Sequence, residues 1–259
     1  MSEALLPYPA GPKLSLKGVS KSFGGRQVLK DVTLDVATGR SLVIIGGSGQ
    51  GKSVTLKIAA GLLQPDSGRV LWDGEDSARV KRGQLCSRYG FLFQGAALFD
   101  SLNVWQNVAF RLINAERVEP REAQRRALEA MAGVGLSPKV AKLFPGEISG
   151  GMQKRVGLAR AVVSSPEVIF FDEPTTGLDP ITADVINDLI VREVRKLGAT
   201  AVSITHDMAS ARKIADEIAM LHDGKVVWRG PASEIDNSGN PYVDQFVNGR
   251  AEGPITGAV

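Results

Sequence analysis

Apolar and polar residues alternate with a period of two along the first part of the chain. Residues 13–36 follow this pattern on both sides of a glycine turn, which predicts antiparallel strands or a hairpin. Further on, apolar residues come in short continuous runs, which are typical of strands buried on both faces. The runs and turn signals predict strands at Ser41–Ile45, between 68 and 73, up to Phe93, and at 168–171, 199–204, 217–221 and 226–228, the last after a turn at 222–225.

Elsewhere the apolar residues recur every three or four positions, which is the spacing of an amphipathic helix. This spacing predicts helices near 52–60, 104–114, 120–131, 151–163, 181–197 and 208–215. In the helix at 181–197 it places Ile181, Val185, Leu189 and Leu197 on one apolar face. Buried strands that alternate with helices indicate an α/β fold with a mainly parallel sheet, an antiparallel β subdomain and a helical insertion.

These patterns divide the chain into three parts. Residues 1–12 are rich in proline and glycine and are predicted to be a flexible tail. Residues 13–238 form the predicted domain, with a helical subdomain over about 95–165, and residues 239–259 form a C-terminal tail.

Composition narrows the class of protein. Of the 259 residues 43% are hydrophobic and 23% charged, which argues against a disordered chain or a coiled coil. No apolar run reaches the ~18 residues of a membrane span, and the amino terminus lacks the basic region of a secretory signal. A single cysteine, Cys86, cannot form an internal disulfide, which fits a reducing compartment. The formal net charge of the chain is only +3, and its basic residues are scattered along the sequence. The charge therefore identifies no partner.

Glycine is in surplus, at 29 residues, and one glycine-rich segment has a definite chemistry. Residues 46–53 read GGSGQGKS and fit the pattern G-x-x-x-x-G-K-[ST] between a predicted strand and a predicted helix. In such a loop backbone N–H groups surround phosphates, the lysine reaches the β- and γ-phosphates, and the last hydroxyl binds Mg²⁺. The predicted ATP-binding residues are Gly46, Gly47, Ser48, Gly49, Gln50, Gly51, Lys52 and Ser53. The alternative is a strand–helix turn that binds nothing.

Two acids follow the apolar run at 168–171. Asp172 stands at the carboxyl end of a predicted buried strand, where ligands bind in open α/β sheets. We therefore expect Asp172 to hold Mg²⁺ and Glu173 to polarise the water that attacks the γ-phosphate. The alternative is that these carboxylates only accept hydrogen bonds from the loop.

A third motif precedes Asp172. The segment Ile148-Ser149-Gly150-Gly151-Met152 offers a serine as a helix N-cap and two glycines for close backbone approach. Together with the phosphate loop and the acid pair, it resembles the LSGGQ signature of ABC-type ATPases, from which Ile148 and Met152 depart. The resemblance covers roughly residues 13–230 and implies a P-loop NTPase fold of the ABC type.

The resemblance implies roles for further residues. Ser149, Gly150 and Gly151 are expected to contact the phosphates of ATP, and Gln94 is expected to link Mg²⁺ and the attacking water. His206 resembles the switch histidine at the γ-phosphate, and Phe23 stands where the family stacks an aromatic ring on adenine, with a core phenylalanine as the competing interpretation. Gly177-Leu178-Asp179 resembles the D-loop. The expected catalytic residues are thus Glu173, His206 and Gln94, and the expected Mg²⁺ ligands are Ser53, Gln94 and Asp172.

The family resemblance also implies an assembly. Two chains pack head to tail, so that each signature closes on the ATP of the other chain, and the cycle of closing and opening drives a membrane permease. We expect that permease to contact the helical insertion near 95–102.

A narrower resemblance concerns the transported molecule. Residues 90–110 (GFLFQGAALFDSLNVWQNVAF), the SGGMQKR segment and the DQFVNGRAEGP segment at 244–254 are similar to the Mla/Mce branch of bacterial lipid transporters. This implies phospholipid movement between inner and outer membranes, a periplasmic MCE-domain protein and a small STAS-domain protein as partners, and a peripheral location on the cytoplasmic face of the inner membrane. The alternative for 95–99 is local packing.

The sequence disfavours two other functions. A soluble ABC-type mechanochemical ATPase for nucleic-acid maintenance or cofactor assembly is disfavoured because the chain has neither a long coiled-coil insertion nor a second such domain, so no nucleic-acid partner is expected. A catalytically inactive binding subunit is disfavoured because Lys52, Asp172, Glu173 and His206 are all present.

Overall fold

The computed structural model describes residues 11–256, which form two compact units. The first unit contains the described residues up to Cys86 and those from His206 onward, and the second unit contains Ser87–Thr205. Most of the tail predicted at 1–12 lies outside the described residues.

The first unit contains an antiparallel sheet in the order β2-β1-β4-β5. The hairpin predicted within 13–36 is confirmed, because the first two strands pair antiparallel across a turn at Gly24 and Gly25. Its buried side chains include Leu14 and Trp72, both with no exposed surface. The strands are β1 (Pro12–Phe23), β2 (Arg26–Ala37), β4 (Ser67–Trp72) and β5 (Glu75–Asp76).

The remainder of the first unit combines parallel and antiparallel strands with helices. Strands β3 (Ser41–Ile45) and β9 (Glu217–His222) are parallel, and β9 turns back into the antiparallel strand β10 (Lys225–Pro231), as the turn at 222–225 predicted. Two of its helices, α2 and α8, were not predicted. The helices are α1 (Lys52–Ala59), α2 (Arg82–Ser87), α7 (Met208–Ile214) and α8 (Pro241–Val247).

The second unit contains three parallel strands in the order β8-β7-β6 and four helices. Each predicted helix is present with its ends within two residues of the prediction, and the predicted α/β class is confirmed. None of the described helices is both long and apolar enough to cross a bilayer. The elements are β6 (Tyr89–Leu92), α3 (Val104–Asn114), α4 (Pro120–Gly133), α5 (Gly150–Val162), β7 (Val168–Asp172), α6 (Pro180–Leu197) and β8 (Thr200–Ile204).

The apolar face predicted for α6 is wrong. Ile181 is 79% exposed and Val185 is 37% exposed, whereas Leu189 is buried. The reason is geometric: each step of four residues turns the helix about 40° too far, so residues spaced by fours drift around its axis. The buried face is instead formed by Ile186, Leu189, Ile190 and Val194.

Helix α5 packs unusually closely on strand β6. A Cβ atom added at Gly90 would overlap the backbone carbonyl oxygen of Ala161, and one added at Gly157 would lie 2.6 Å from Cδ1 of Leu92. A backbone carbonyl inside a helix cannot move aside as a flexible side chain can. The helix therefore needs glycine at position 90 to lie at this distance, whereas a residue at 157 would have to displace the Leu92 side chain.

This packing predicts that Gly90→Ala destabilises the protein by about 1–3 kcal/mol, because the added methyl group overpacks a rigid contact. Chemical denaturation of the purified chain measures the loss. Gly83→Ala is the control, since a Cβ atom there meets nothing within 4 Å and helix α2 should tolerate alanine. Equal stability of the two variants would contradict the close contact.

Candidate active site

The phosphate loop connects β3 to α1 in the first unit, and its shape depends on glycine at two positions. Gly46 has φ +145° and Gly51 has φ +98°, and both lie against neighbouring strands. A Cβ atom at Gly46 would overlap the carbonyl oxygen of Leu221, and one at Gly51 would lie 2.6 Å from Cδ2 of Leu29. Strands β9 and β2 thus fix both ends of the loop.

Lys52 is held inside this loop. Lys52 is only 6% exposed, and its ammonium donates hydrogen bonds to the carbonyl oxygens of Gly46 at 2.7 Å and Gly47 at 2.8 Å. These contacts satisfy a charge that would be costly to bury without partners. Helix α1 begins at Lys52, directly after its N-cap Gly51, so the positive end of the helix adjoins the same loop. The arrangement suits an anion.

The other loop residues differ in exposure. Ser48 and Gly49 are exposed, and Ser53 is half-buried in the first turn of α1. The Gln50 side chain accepts a hydrogen bond of 2.6 Å from the backbone N–H of Asp223, in the turn between β9 and β10. A hydrogen bond from Lys30 lowers the pKa of the Asp223 carboxyl, which favours its ionised form.

Two predicted residues of the first unit lie outside the loop. Phe23, at the end of β1, is 46% exposed, which excludes the core phenylalanine considered from the sequence. The ammonium of Lys21 lies 5.5 Å from the centre of its ring. His206 is exposed and comes directly before Asp207, which caps helix α7.

In the second unit, strand β7 ends at the acid pair. Asp172 is 6% exposed, while Glu173 has a left-handed backbone with φ +47°. Its backbone N–H donates to the carbonyl oxygen of Ile204 at 3.0 Å, and its Oε2 accepts a hydrogen bond of 2.7 Å from Oγ1 of Thr176. Both ends of Glu173 are therefore held in place.

The signature segment opens helix α5 as predicted. Ser149 is the N-cap, and its Oγ accepts a hydrogen bond of 3.3 Å from the backbone N–H of Met152. A Cβ atom at Gly151 would lie 2.9 Å from Cγ2 of Thr182, so a side chain there would crowd α6. Helix α6 follows the D-loop and is capped by Asp179, whose carboxyl has a lowered pKa because it accepts hydrogen bonds from Thr182.

The sequence analysis missed Lys154, which contacts two of the predicted catalytic residues. Its ammonium donates to the carbonyl oxygen of Gln94 and, at 3.4 Å, to that of Glu173. Burial lowers the pKa of this lysine, and the nearby carboxylates of Asp172 and Glu173 oppose the shift. One feature of the sequence could have identified this residue: a lysine stands just after the signature and before the small and apolar residues Val156–Ala159.

The predicted site residues therefore fall into two sets. The first unit brings together residues 46–53 and also contains Phe23 and His206. In the second unit, Lys154 contacts the backbone carbonyls of both Gln94 and Glu173, and Asp172 precedes Glu173 in the chain. It also contains the signature residues Ser149, Gly150 and Gly151.

The chemistry of both sets suits a nucleoside triphosphate with a divalent cation. The hydroxyl of Ser53, the carboxylate of Asp172 and the amide oxygen of Gln94 are hard oxygen donors of the kind that Mg²⁺ prefers. The described residues contain no cluster of three or more acidic, histidine or cysteine side chains that could hold a metal. The phosphate loop between a buried strand and a helix is that of the P-loop nucleoside triphosphatases.

Comparison with known proteins narrows this class. A family model described as ABC transporter matches residues 29–176. The probable ribonucleotide transport ATP-binding protein mkl of Mycobacterium leprae is 42% identical over 95% of this chain and 72% of its own length. The intermembrane phospholipid transport system ATP-binding protein MlaF of Escherichia coli K12 is 37% identical over 93% of this chain and 91% of its own length.

A solved structure agrees with the sequence comparisons. A dimeric ATP-binding cassette in a post-hydrolysis state with ADP and Pi superimposes with a TM-score of 0.77 at 33% identity, covering 85% of this chain and 98% of that one. The chain belongs to the ABC transporter family and is an ATP-binding subunit that hydrolyses ATP. The family resemblance seen in the sequence is thereby confirmed.

The geometry of the phosphate loop predicts that Lys52→Ala weakens ATP binding about 10- to 100-fold and also slows turnover, because a charged hydrogen bond to the phosphates is lost. Titration with a fluorescent ATP analogue measures the affinity. Lys57→Ala is the matched control, since Lys57 is exposed in the last turn of the same helix. Unchanged affinity of the Lys52 variant would refute its phosphate role.

Proposed function

We propose that the chain powers the movement of phospholipids or related lipids between the inner and outer membranes. The observation that carries this proposal is the similarity to the MlaF protein over 91% of that protein's length. The relative from Mycobacterium leprae is named for ribonucleotide transport instead, so the names of the relatives do not agree on the transported molecule. The lipid-branch segments at 90–110 and 244–254 favour the lipid.

We assign the hydrolysis roles to the predicted residues. Lys52 and the loop amides bind the phosphates, Phe23 stacks on the adenine, and Ser53, Gln94 and Asp172 hold Mg²⁺. When bound, Mg²⁺ neutralises charge on the phosphates. His206 contacts the γ-phosphate.

Glu173 is the proposed general base. Its Oε2 accepts a hydrogen bond of 2.7 Å from Oγ1 of Thr176, which orients the carboxylate, and an ionised carboxylate can accept a proton from water. The left-handed backbone of Glu173, with φ +47°, is strained for any residue other than glycine. Such strain is retained where the surrounding structure holds a residue in a required place, and here the bond from its N–H to Ile204 does so.

The proposed assembly is a head-to-tail dimer on a membrane permease. Ser149, Gly150 and Gly151 of each chain contact the ATP held by the other chain, and two bound ATP molecules close the dimer. We place the chain at the cytoplasmic face of the inner membrane, peripheral to the permease. A periplasmic MCE-domain protein and a small STAS-domain protein complete the complex. The proposed boundaries are an ATPase domain at 13–238, with its helical subdomain at about 95–165, and a C-terminal tail at 239–259.

Phe99 is the proposed contact with the permease. Its side chain is 42% exposed, and its ring packs against that of Phe110 with the ring centres 4.4 Å apart. The fully buried Asn107 holds the backbone of Phe99 from both sides, accepting from its N–H at 2.8 Å and donating to its carbonyl oxygen at 3.0 Å. An exposed aromatic ring on a rigid backbone is typical of the anchors in protein interfaces.

Glu173→Gln is expected to slow ATP turnover by about 10²- to 10⁴-fold while ATP binding persists, because the amide cannot accept the proton of the attacking water. Steady-state phosphate release and ATP affinity measure the two effects, and size-exclusion chromatography detects the trapped closed dimer. Glu129→Gln, an exposed glutamate on α4, is the control. Turnover within a few-fold of the parent would refute the assignment of the base.

Phe99→Asp is expected to abolish recovery of a multispan permease when the tagged chain is captured from detergent-solubilised membranes, because a charge replaces the apolar anchor. Leu62→Asp, at a similarly exposed apolar residue of the first unit, should leave recovery unchanged. Capture of no permease by the parental chain would contradict the transporter assembly.

The same captured complex identifies the cargo. After reconstitution into liposomes, we expect ATP-dependent movement of a fluorescent phospholipid. ATPase stimulation by ribonucleotides without lipid movement would overturn the lipid assignment in favour of the function named for the mycobacterial relative.

A further inference from the structure

Helix α5 presents three residues to the loop that follows strand β6. Lys154, Gly157 and Arg160 follow one another along the helix at intervals of three residues, and all three adjoin residues 94–97. Gly157 brings the helix close to the loop, since a Cβ atom there would lie 3.3 Å from Cβ of Ala96. We call these three residues the carbonyl clamp, because the two cations donate to backbone carbonyl oxygens.

Arg160 holds the far end of the loop. Its guanidinium donates to the carbonyl oxygen of Ala97 at 2.7 Å and also to that of Ala96. Ala96 and Ala97 have φ +59° and +47°, a conformation that residues other than glycine rarely adopt. Two successive strained residues persist only where their surroundings hold them, and the guanidinium binds both of their carbonyl groups.

Lys154 holds the near end of the loop. The ammonium donates to the carbonyl oxygen of Gln94, which lies two residues after β6, and to that of Glu173, which lies one residue after β7. These two strands are hydrogen-bonded neighbours, with Leu92 paired to Phe171. One side chain from the signature helix therefore joins the two loops that carry Gln94 and Glu173.

We propose that Lys154 is a positioning residue that sets the places of Gln94 and Glu173 through their backbone carbonyls and so links both to the signature helix. This inference rests on the proposed roles of Gln94 and Glu173 in hydrolysis. Helix α5 begins at the signature residues, so a shift of the signature is transmitted to both residues through the clamp. Displacement of a catalytic group by about 1 Å costs on the order of 10²-fold in rate, so the effect on turnover should be large.

The test compares two substitutions in the purified full-length chain. Lys154→Met keeps the length of the side chain and removes every donor, and we expect kcat for ATP to fall at least tenfold while KM changes less than twofold. Lys154→Gln keeps a donor on a shorter side chain, and we expect kcat to fall about threefold. Lys139→Met removes an exposed lysine of the second unit and should change neither constant.

The same measurements separate positioning from a general structural role. A kcat of Lys154→Met within twofold of the parent overturns the proposal. The proposal is also overturned if the Met and Gln variants lose kcat equally and both show a raised KM and a lowered melting temperature. If the methionine variant does not fold, the glutamine variant carries the test, and a kcat within twofold of the parent overturns the proposal.

A double-mutant cycle with Gln94→Ala shows whether Lys154 acts through Gln94. We expect the double variant to lose less than the product of the two single losses, because Gln94 is one of the two groups that Lys154 positions. Multiplied losses overturn the proposal. A slow Gln94→Ala with a parental Lys154→Met means that only the clamp is wrong, whereas a parental rate of Gln94→Ala means that the proposed role of Gln94 fails and the clamp inference with it.

Discussion

The contact between strand β6 and helix α5 is the constraint on which the second unit depends. The helix lies where any side chain at position 90 would overlap the carbonyl oxygen of Ala161. At this distance the cations at 154 and 160 reach backbone carbonyls of the loop after β6 directly. A larger residue at Gly90 would push the helix away and separate these groups, so the charged contacts depend on the close approach of the two backbones.

The same kind of constraint shapes the phosphate loop of the first unit. Gly46 and Gly51 lie against the backbone of Leu221 and the side chain of Leu29, so neighbouring strands fix the loop from both ends. Lys52 then satisfies its buried ammonium with two carbonyl oxygens of the loop itself. A loop that is already formed does not lose conformational entropy when it binds phosphate, which lowers the cost of binding.

The sequence allowed prediction of whatever depends on local periodicity or on a contiguous motif. The ends of α3 and the strand Ser41–Ile45 were found at the predicted residues, and Ser149 caps α5 as expected. The buried face of α6 was not predicted, because spacing by fours does not follow a helix of 3.6 residues per turn.

Contacts that cross long stretches of sequence were also beyond prediction. Lys154 lies 60 residues from Gln94, and no periodicity connects them. Some shorter contacts were not predicted either: Gln245, in the predicted tail, donates to the carbonyl oxygens of Arg250 and Ile255 and accepts from the N–H of Ile255. These contacts span only five and ten residues, but neither a periodicity nor a motif in the sequence points to them.

The signature segment departs from the LSGGQ pattern at Met152, and this departure is compatible with the proposed phosphate contact. A methionine side chain cannot donate a hydrogen bond, so the proposed phosphate contact rests on Ser149 and the glycine backbone. Ser149 accepts the N–H of Met152 at 3.3 Å through its oxygen, and this leaves the hydroxyl proton available to a donor role. A hydroxyl can accept and donate at once, so capping the helix and contacting a phosphate do not compete. Methionine at 152 therefore removes one potential donor while its backbone fixes the serine that remains.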